Sequence, residues 1–191
     1  RALSNSNNVQ PIFIFDKNIL SKLEDTDDRR ISFIHDRIER LSKELKTQGS
    51  SLWVFHDDPL QVFKKLTSEN EIESLYANRD YEPYARERDR EIFDFLDSKG
   101  IAFKAHKDHV IFDREEILKG DGTPYTVYSP YAKKWKTHFQ DKYLTPFPSE
   151  QHLNNLNKGK ETSIPTLESM GFETHEKDWS DSEIDSNIIK S

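Results

Sequence analysis

The stretch Val9-Gln-Pro-Ile-Phe-Ile-Phe-Asp16 limits the possible folds of this chain more than any other. Ile12 to Phe15 is an unbroken apolar run, without the alternation of a strand that has one wet face. Such a run fits a strand covered on both sides, as in a parallel sheet between layers of helices. It stops at Asp16-Lys17-Asn18. In open α/β sheets, ligands sit in the crevice at the carboxyl ends of strands, where Asp16 falls. Capping of the following turn explains an aspartate there equally well.

Helical and strand patterns alternate along the rest of the chain. Arg1-Ala2-Leu3 resembles the frayed end of a helix running into a polar turn. From Asp28 to Gly49, Ile31, Ile34, Ile38, Leu41 and Leu45 recur at helical steps, with Gly49 placed as a C-terminal cap. Ser51 to Phe55 is a second short strand, ending in His56-Asp57-Asp58. Pro59 opens a helix to about Leu66, with Asp58 as its N-cap. A third strand is expected near Ser74–Ala77. A long helix then runs through Lys99, with Ile92, Phe93 and Leu96 inward and Gly100 at its end. Ile101 to Phe112 suggests a strand pair or a bent strand, and Tyr131 to about Tyr143 a helix anchored by Trp135 and Phe139. Strands and helices at this short spacing predict βαβ units and a doubly wound, mostly parallel, Rossmann-like sheet flanked by helices.

Charge divides the chain. Residues 144–191 carry four Lys or Arg against nine Asp or Glu, leaving residues 1–143 near −2 of the total −7. Phe147, Leu153, Leu156, Leu167, Phe172 and Trp179 are scattered anchors in that polar tail, too sparse for a core. The expected organisation is therefore a domain over 1–143 and an extended acidic linker arm over 144–191, lying on another surface. A net charge of −7 argues against a whole-chain nucleic-acid coat or an anionic membrane as partner, though not against a local basic patch. No apolar run approaches the roughly 20 residues of a membrane helix, and the N-terminus lacks a signal-peptide core. Without cysteine there are no disulfides or thiolate metal sites, and a cytoplasmic protein is the simplest expectation.

Chemistry-bearing motifs are few. His106-x-x-His109 would face opposite sides of a strand, so no metal is expected there. His56-Asp57-Asp58 could hold a cation or a ligand hydroxyl, and a helix cap accounts for it as well. There is no G-x-G-x-x-G, no P-loop and no G-x-S-x-G. No catalytic residue is expected from this chain alone.

Two further stretches are more specific: Asn78-Arg-Asp-Tyr-Glu-Pro-Tyr-Ala-Arg-Glu-Arg-Asp89, and Tyr125-Thr-Val-Tyr-Ser-Pro-Tyr-Ala-Lys-Lys-Trp135. With Pro11-Ile-Phe-Ile-Phe-Asp16, in this order and spacing, they resemble the amino-terminal α/β domain of the DNA photolyase and cryptochrome family. Phe147-Pro-Ser through Ile184-Asp-Ser-Asn-Ile-Ile is similar to that family's connector to its helical domain. The resemblance implies a five-stranded parallel sheet holding an antenna chromophore, and a following helical domain that binds FAD and damaged DNA. That helical domain would be this chain's partner, DNA would be met only through it, and no membrane is implied.

The family's opening strand, of the W-F-R-x-D-L-R type, is not in the sequence. It lies mid-sheet in the family, so a chain starting at Arg1 would expose a long edge and supply one wall of the crevice. Such a chain is expected to hold no tightly bound chromophore and to repair no DNA by itself, because repair needs the flavin. The residues that the resemblance places at the chromophore are Phe15, Asp16, Glu82, Arg86, Arg88 and Asp89. Where folate-binding relatives have an Asn-Glu pair, this chain has Tyr84 and Ala85. That departure points away from folate and leaves an FMN or deazaflavin antenna, or no antenna at all. Two alternatives stay open: a cryptochrome light sensor, and a nucleotide-binding domain of the universal-stress type.

Overall fold

The computed structural model describes residues 1–113, 115–159 and 162–174. Trp179 and the Ile184 end of the expected connector lie outside them. The described residues form two compact units. One joins Arg1–Asn5 to Phe63–Gln151, and the other joins Ser6–Val62 to the residues from 152 on.

The second unit holds the apolar strand that ends at Asp16. A one-turn helix α1 (Ala2–Asn5) belongs to the first unit, and β1 (Ile12–Asp16) opens the second. β1 pairs in parallel with β2 (Trp53–Asp57), with Ile12 opposite Trp53 and Asp16 opposite Asp57. Between them run a one-turn helix α2 (Lys17–Leu20) and the long α3 (Arg29–Thr47). Asp28 caps α3 by accepting from Arg30 N at 2.9 Å. Gly49, at φ 71°, closes it in a left-handed conformation that favours glycine, and the next amide, Ser50 N, donates to Leu45 O at 3.0 Å. Ile31 and Ile38 of α3 pack with Phe15, Leu20, Leu52 and Val54.

This core includes three residues from far along the chain: Leu167, Met170 and Phe172, each no more than 7% exposed. The arm is tied by backbone hydrogen bonds as well. Val9 and Leu156 form a parallel bridge, and Glu173 N donates to Thr26 O at 2.8 Å. Ser50 Oγ donates to Asn157 O at 2.6 Å, and His35 Nε2 to Pro165 O at 2.9 Å. Leu167 and Phe172, which look isolated in sequence, are thus part of one buried cluster, whereas Phe147 is 65% exposed. Ile12, Phe13 and Ile14 remain half-buried, short of the full cover expected on both faces.

In the first unit, β3 (Ser74–Asn78) pairs in parallel with β4 (Ala102–His106), in register from Ser74 opposite Ala102 to Asn78 opposite His106. The helix α4 (Pro59–Glu69) precedes β3, and α5 (Pro83–Asp97) joins the strands. α5 buries Ala85, Ile92 and Leu96, and Gly100 ends it at φ 72°. The apolar triplet Val110-Ile111-Phe112 forms no strand, contrary to the bent strand or strand pair expected there. Phe112 instead meets Trp135 and Tyr143 edge-on, at 5.4 and 5.1 Å between centroids. Aromatic contact, which needs no ladder partner, covers Phe112, while Val110 stays exposed. The helix α6 (Tyr128–His138) starts and ends earlier than the sequence pattern suggests.

The expected sheet has five strands; the described residues supply four, as two two-stranded parallel sheets. The α/β class and the parallel sense are as expected.

Candidate functional site

Each sheet ends in a cluster of charged and polar residues at its carboxyl edge. In the β1–β2 sheet, Asp16 is buried and caps α2, accepting from Asn18 N at 2.9 Å. Asn18 Nδ2 reaches Asp58 at 2.6 Å, and Asp58 accepts from Gln61 N at 3.1 Å, so it caps α4 as its sequence suggests. Lys17 pairs with Asp57 at 3.1 Å, which with the Asp58 amide holds the Asp57 carboxyl below the usual range. The Phe15 ring lies in the core, edge-on to Phe13 and stacked on His35.

Above these residues opens a groove of about 350 Å³ lined by Lys17, Leu20, Leu23, His56, Met170 and Phe172 among others. Burial, helped by the Lys17 charge, lowers the His56 pKa, which favours the neutral ring at the groove wall. One side is therefore apolar and comes partly from the arm. The polar part of the lining carries an ammonium, an imidazole, the Asp25 carboxylate and the hydroxyls of Ser21 and Thr26. That combination suits a flat, largely apolar molecule with a few polar edges. Sequence reasoning did not single out Lys17, Leu20, Met170 or Phe172 as site residues. The only local signal was that Lys17 follows the strand-end aspartate.

At the β3–β4 end, charge is self-compensated. Arg79 pairs with Asp113 at 2.6 Å and Lys107 with Glu116 at 2.5 Å. These four residues and Glu115 line an opening of about 340 Å³. The Lys107 ammonium and the Asp113 amide keep Glu116 ionised below its usual range. Asp80 accepts from the Tyr81 and Glu82 amides, and its carboxyl is likewise lowered. Glu82 is the exposed N-cap of α5 and makes no side-chain capping bond. Arg86 is exposed, while Arg88 pairs with Asp89 at 2.7 Å and lies 6.0 Å from the Tyr84 ring centroid. Ala85 is buried. His106 ends β4 stacked on Tyr76, its Nε2 buried without a hydrogen-bond partner. Burial, reinforced by Arg1, lowers its pKa.

Of the six residues expected at a chromophore, Phe15 and Asp16 thus belong to one unit. Glu82, Arg86, Arg88 and Asp89 belong to the other, gathered on the first turns of α5. No group of three or more His, Cys, Asp or Glu among the described residues could hold a metal. No helix among them is long and apolar enough to cross a membrane.

Comparison with known proteins gives a consistent answer. A deoxyribodipyrimidine photo-lyase of Synechococcus is 29% identical over 85% of this chain, and one of Halobacterium salinarum is 28% identical over 86%. Cryptochrome-1 of Macaca fascicularis is 25% identical over 76%. The chain spans 34% of the length of either photo-lyase and 26% of the cryptochrome. A class III photolyase structure from Agrobacterium tumefaciens superposes over 84% of this chain with a TM-score of 0.62 at 19% identity. A photolyase from Sulfolobus tokodaii, described with two FAD molecules, covers 84% at a TM-score of 0.61 and 22% identity. At these identities the two structures show the shared fold. The family model for DNA photolyase matches residues 1–151, and the chain belongs to that family.

Proposed function

We propose that this chain is the antenna domain of a deoxyribodipyrimidine photo-lyase, collecting light for the repair of pyrimidine dimers in DNA. Residues 1–143 would be the chromophore-binding domain and 144–191 the acidic arm leading on from it. The partner would be a helical FAD domain of the same protein, working in the cytoplasm. The observation that carries this reading is the groove beside Lys17 and His56, found at a sheet's carboxyl edge in a chain of this family. Its volume lies near the lower end of the range for small-molecule sites, which suits a tricyclic ring better than a whole dinucleotide. An FMN or deazaflavin chromophore fits it in size and chemistry. Its ring would lie on Leu20, Leu23, Met170 and Phe172, with Lys17 and His56 at polar edges. When bound, such a group would supply light absorption; the chain's residues orient it and keep water from one face. Asp16 remains a proposed contact, while Phe15 would act through the core beneath; Glu82, Arg86, Arg88 and Asp89, in the other unit, remain proposed cofactor-binding residues without being assigned to this groove.

Family membership removes the ground for the universal-stress alternative. A cryptochrome sensor remains the second reading, favoured by cryptochrome-1 relatives matching over 76% of the chain.

Titrating the chain with FMN and with a deazaflavin, followed by ligand fluorescence, tests the chromophore reading. Weak but saturable one-to-one binding is expected. Ser21→Trp, which fills the groove from its rim, should abolish it while leaving the circular dichroism unchanged. Absence of any binding, or equal binding by the Trp variant, would overturn this assignment of the groove.

A further inference from the structure

We propose that the solvent face of α6 is a docking surface for the phosphate backbone of duplex DNA. The proposal goes beyond the chromophore reading and does not depend on it. It also adds a DNA contact outside the flavin-binding domain.

Charge singles out this helix first. The chain has 35 acidic residues, yet none falls between Gly122 and Gln140, its longest acid-free run. Lys133, Lys134, Lys136 and His138 lie within it. A helical wheel separates α6 into two stripes. Tyr131 and Trp135 point to one side, where Tyr131 meets Tyr125 edge-on at 6.2 Å. Trp135 stacks on Phe139 at 5.3 Å and meets Phe112 edge-on. These aromatic contacts orient the helix. Ser129, Lys133, Lys136 and Thr137 face the other way and, with the flanking Tyr128 and Ala132, line an open groove of about 510 Å³. No residue of α6 is buried, and Tyr128 is 78% exposed.

The chemistry of this lining selects the partner. It presents two ammonium groups, three hydroxyls and no carboxylate, the donor set that proteins use on phosphate oxygens. A flat apolar partner would leave both ammonium groups desolvated without counter-charge, which is costly. A polyanion with evenly spaced charges neutralises them and releases its counterions. The surface has no Arg, Asn or Gln to contact base edges, so binding should be independent of sequence.

The experiment uses the 191-residue chain and a fluorescein-labelled duplex of roughly 20 base pairs of mixed sequence, read by anisotropy across a salt series. Binding that weakens with salt is expected. Lys133→Glu with Lys136→Glu should weaken it roughly tenfold or more and make the log–log salt slope shallower by about 2. The pair Lys64→Glu and Lys65→Glu, exposed on α4, makes the same change in net charge and should leave affinity within about twofold. No detectable binding, equal loss from both pairs, or preference for polyglutamate over the duplex at equal salt would each overturn the proposal.

Discussion

The two parallel strand pairs of this protein are built alike and covered differently. Each is a strand–helix–strand unit with five residues per strand and a histidine at or next to the end of its second strand. Around β1–β2, the arm supplies Leu167, Met170 and Phe172, and the buried cluster takes in Phe15, Leu52 and Val54. Around β3–β4, no strand residue is fully buried, and Leu96, 1% exposed on α5, is the most deeply buried side chain. A two-stranded sheet is marginal in water and depends on what packs on its faces. Sequence-distant cover, rather than strand composition, therefore separates a sheet with a buried core from one that keeps half-exposed strands.

Removing one anchor from each unit puts this contrast under the greatest strain. Phe172→Ala should cost about 3–5 kcal/mol and Leu96→Ala about 2–5 kcal/mol. In a Trp179→Phe background, Trp53 reports on the arm-covered unit and Trp135 on the other. Urea unfolding should show Phe172→Ala shifting the Trp53 transition to lower denaturant. A Phe172→Ala effect under about 1 kcal/mol would mean that the arm merely rests on a core complete without it.

The paired histidines offer a gentler test. Both His56 and His106 have folded pKa values lowered, chiefly by burial. Their unfolded forms therefore bind protons more readily, and stability should fall as pH drops below about 6.5, flattening once the folded rings also protonate. NMR titration should place both below that value, and His56→Gln should remove part of the slope. A folded pKa of either above 6.5 would contradict the burial argument.

A slighter difference separates two helix caps. Asp28 caps α3 and is held at a pKa of about 2, mainly by the Arg30 side chain. Its contribution is complete above the ordinary value of 3.8 and is lost as pH falls to about 2. Glu82 caps α5 without a side-chain bond. Asp28→Asn should flatten the acid limb of the stability curve and cost more stability at neutral pH than Glu82→Gln, which removes no capping bond. Equal losses at neutral pH from the two substitutions would erase the distinction.

Local pattern carried much of the fold. The apolar run before Asp16, the helical spacing from Ile31 to Leu45, the cap at Asp58 and the glycines at 49 and 100 act over a turn or less. Steric and hydrogen-bonding preferences at that range are written in neighbouring residues, so element types and most boundaries were legible. The family motifs at 78–89 and 125–135 were legible for the same reason.

Burial and partnership were not. Val110-Ile-Phe112 has strand composition, but a strand also needs a ladder partner, and here aromatic contacts took its place. Leu167 and Phe172 look like stray anchors until the bridge at Val9 and the bond to Thr26 bring them, with Met170, onto the core. The groove arises from that closure: Lys17 and His56 on one side, Met170 and Phe172 more than a hundred residues later on the other. Closing so long a loop costs entropy that the burial of those side chains and the hydrogen bonds of the arm offset together. That balance is a property of the packed chain, which local periodicity does not encode.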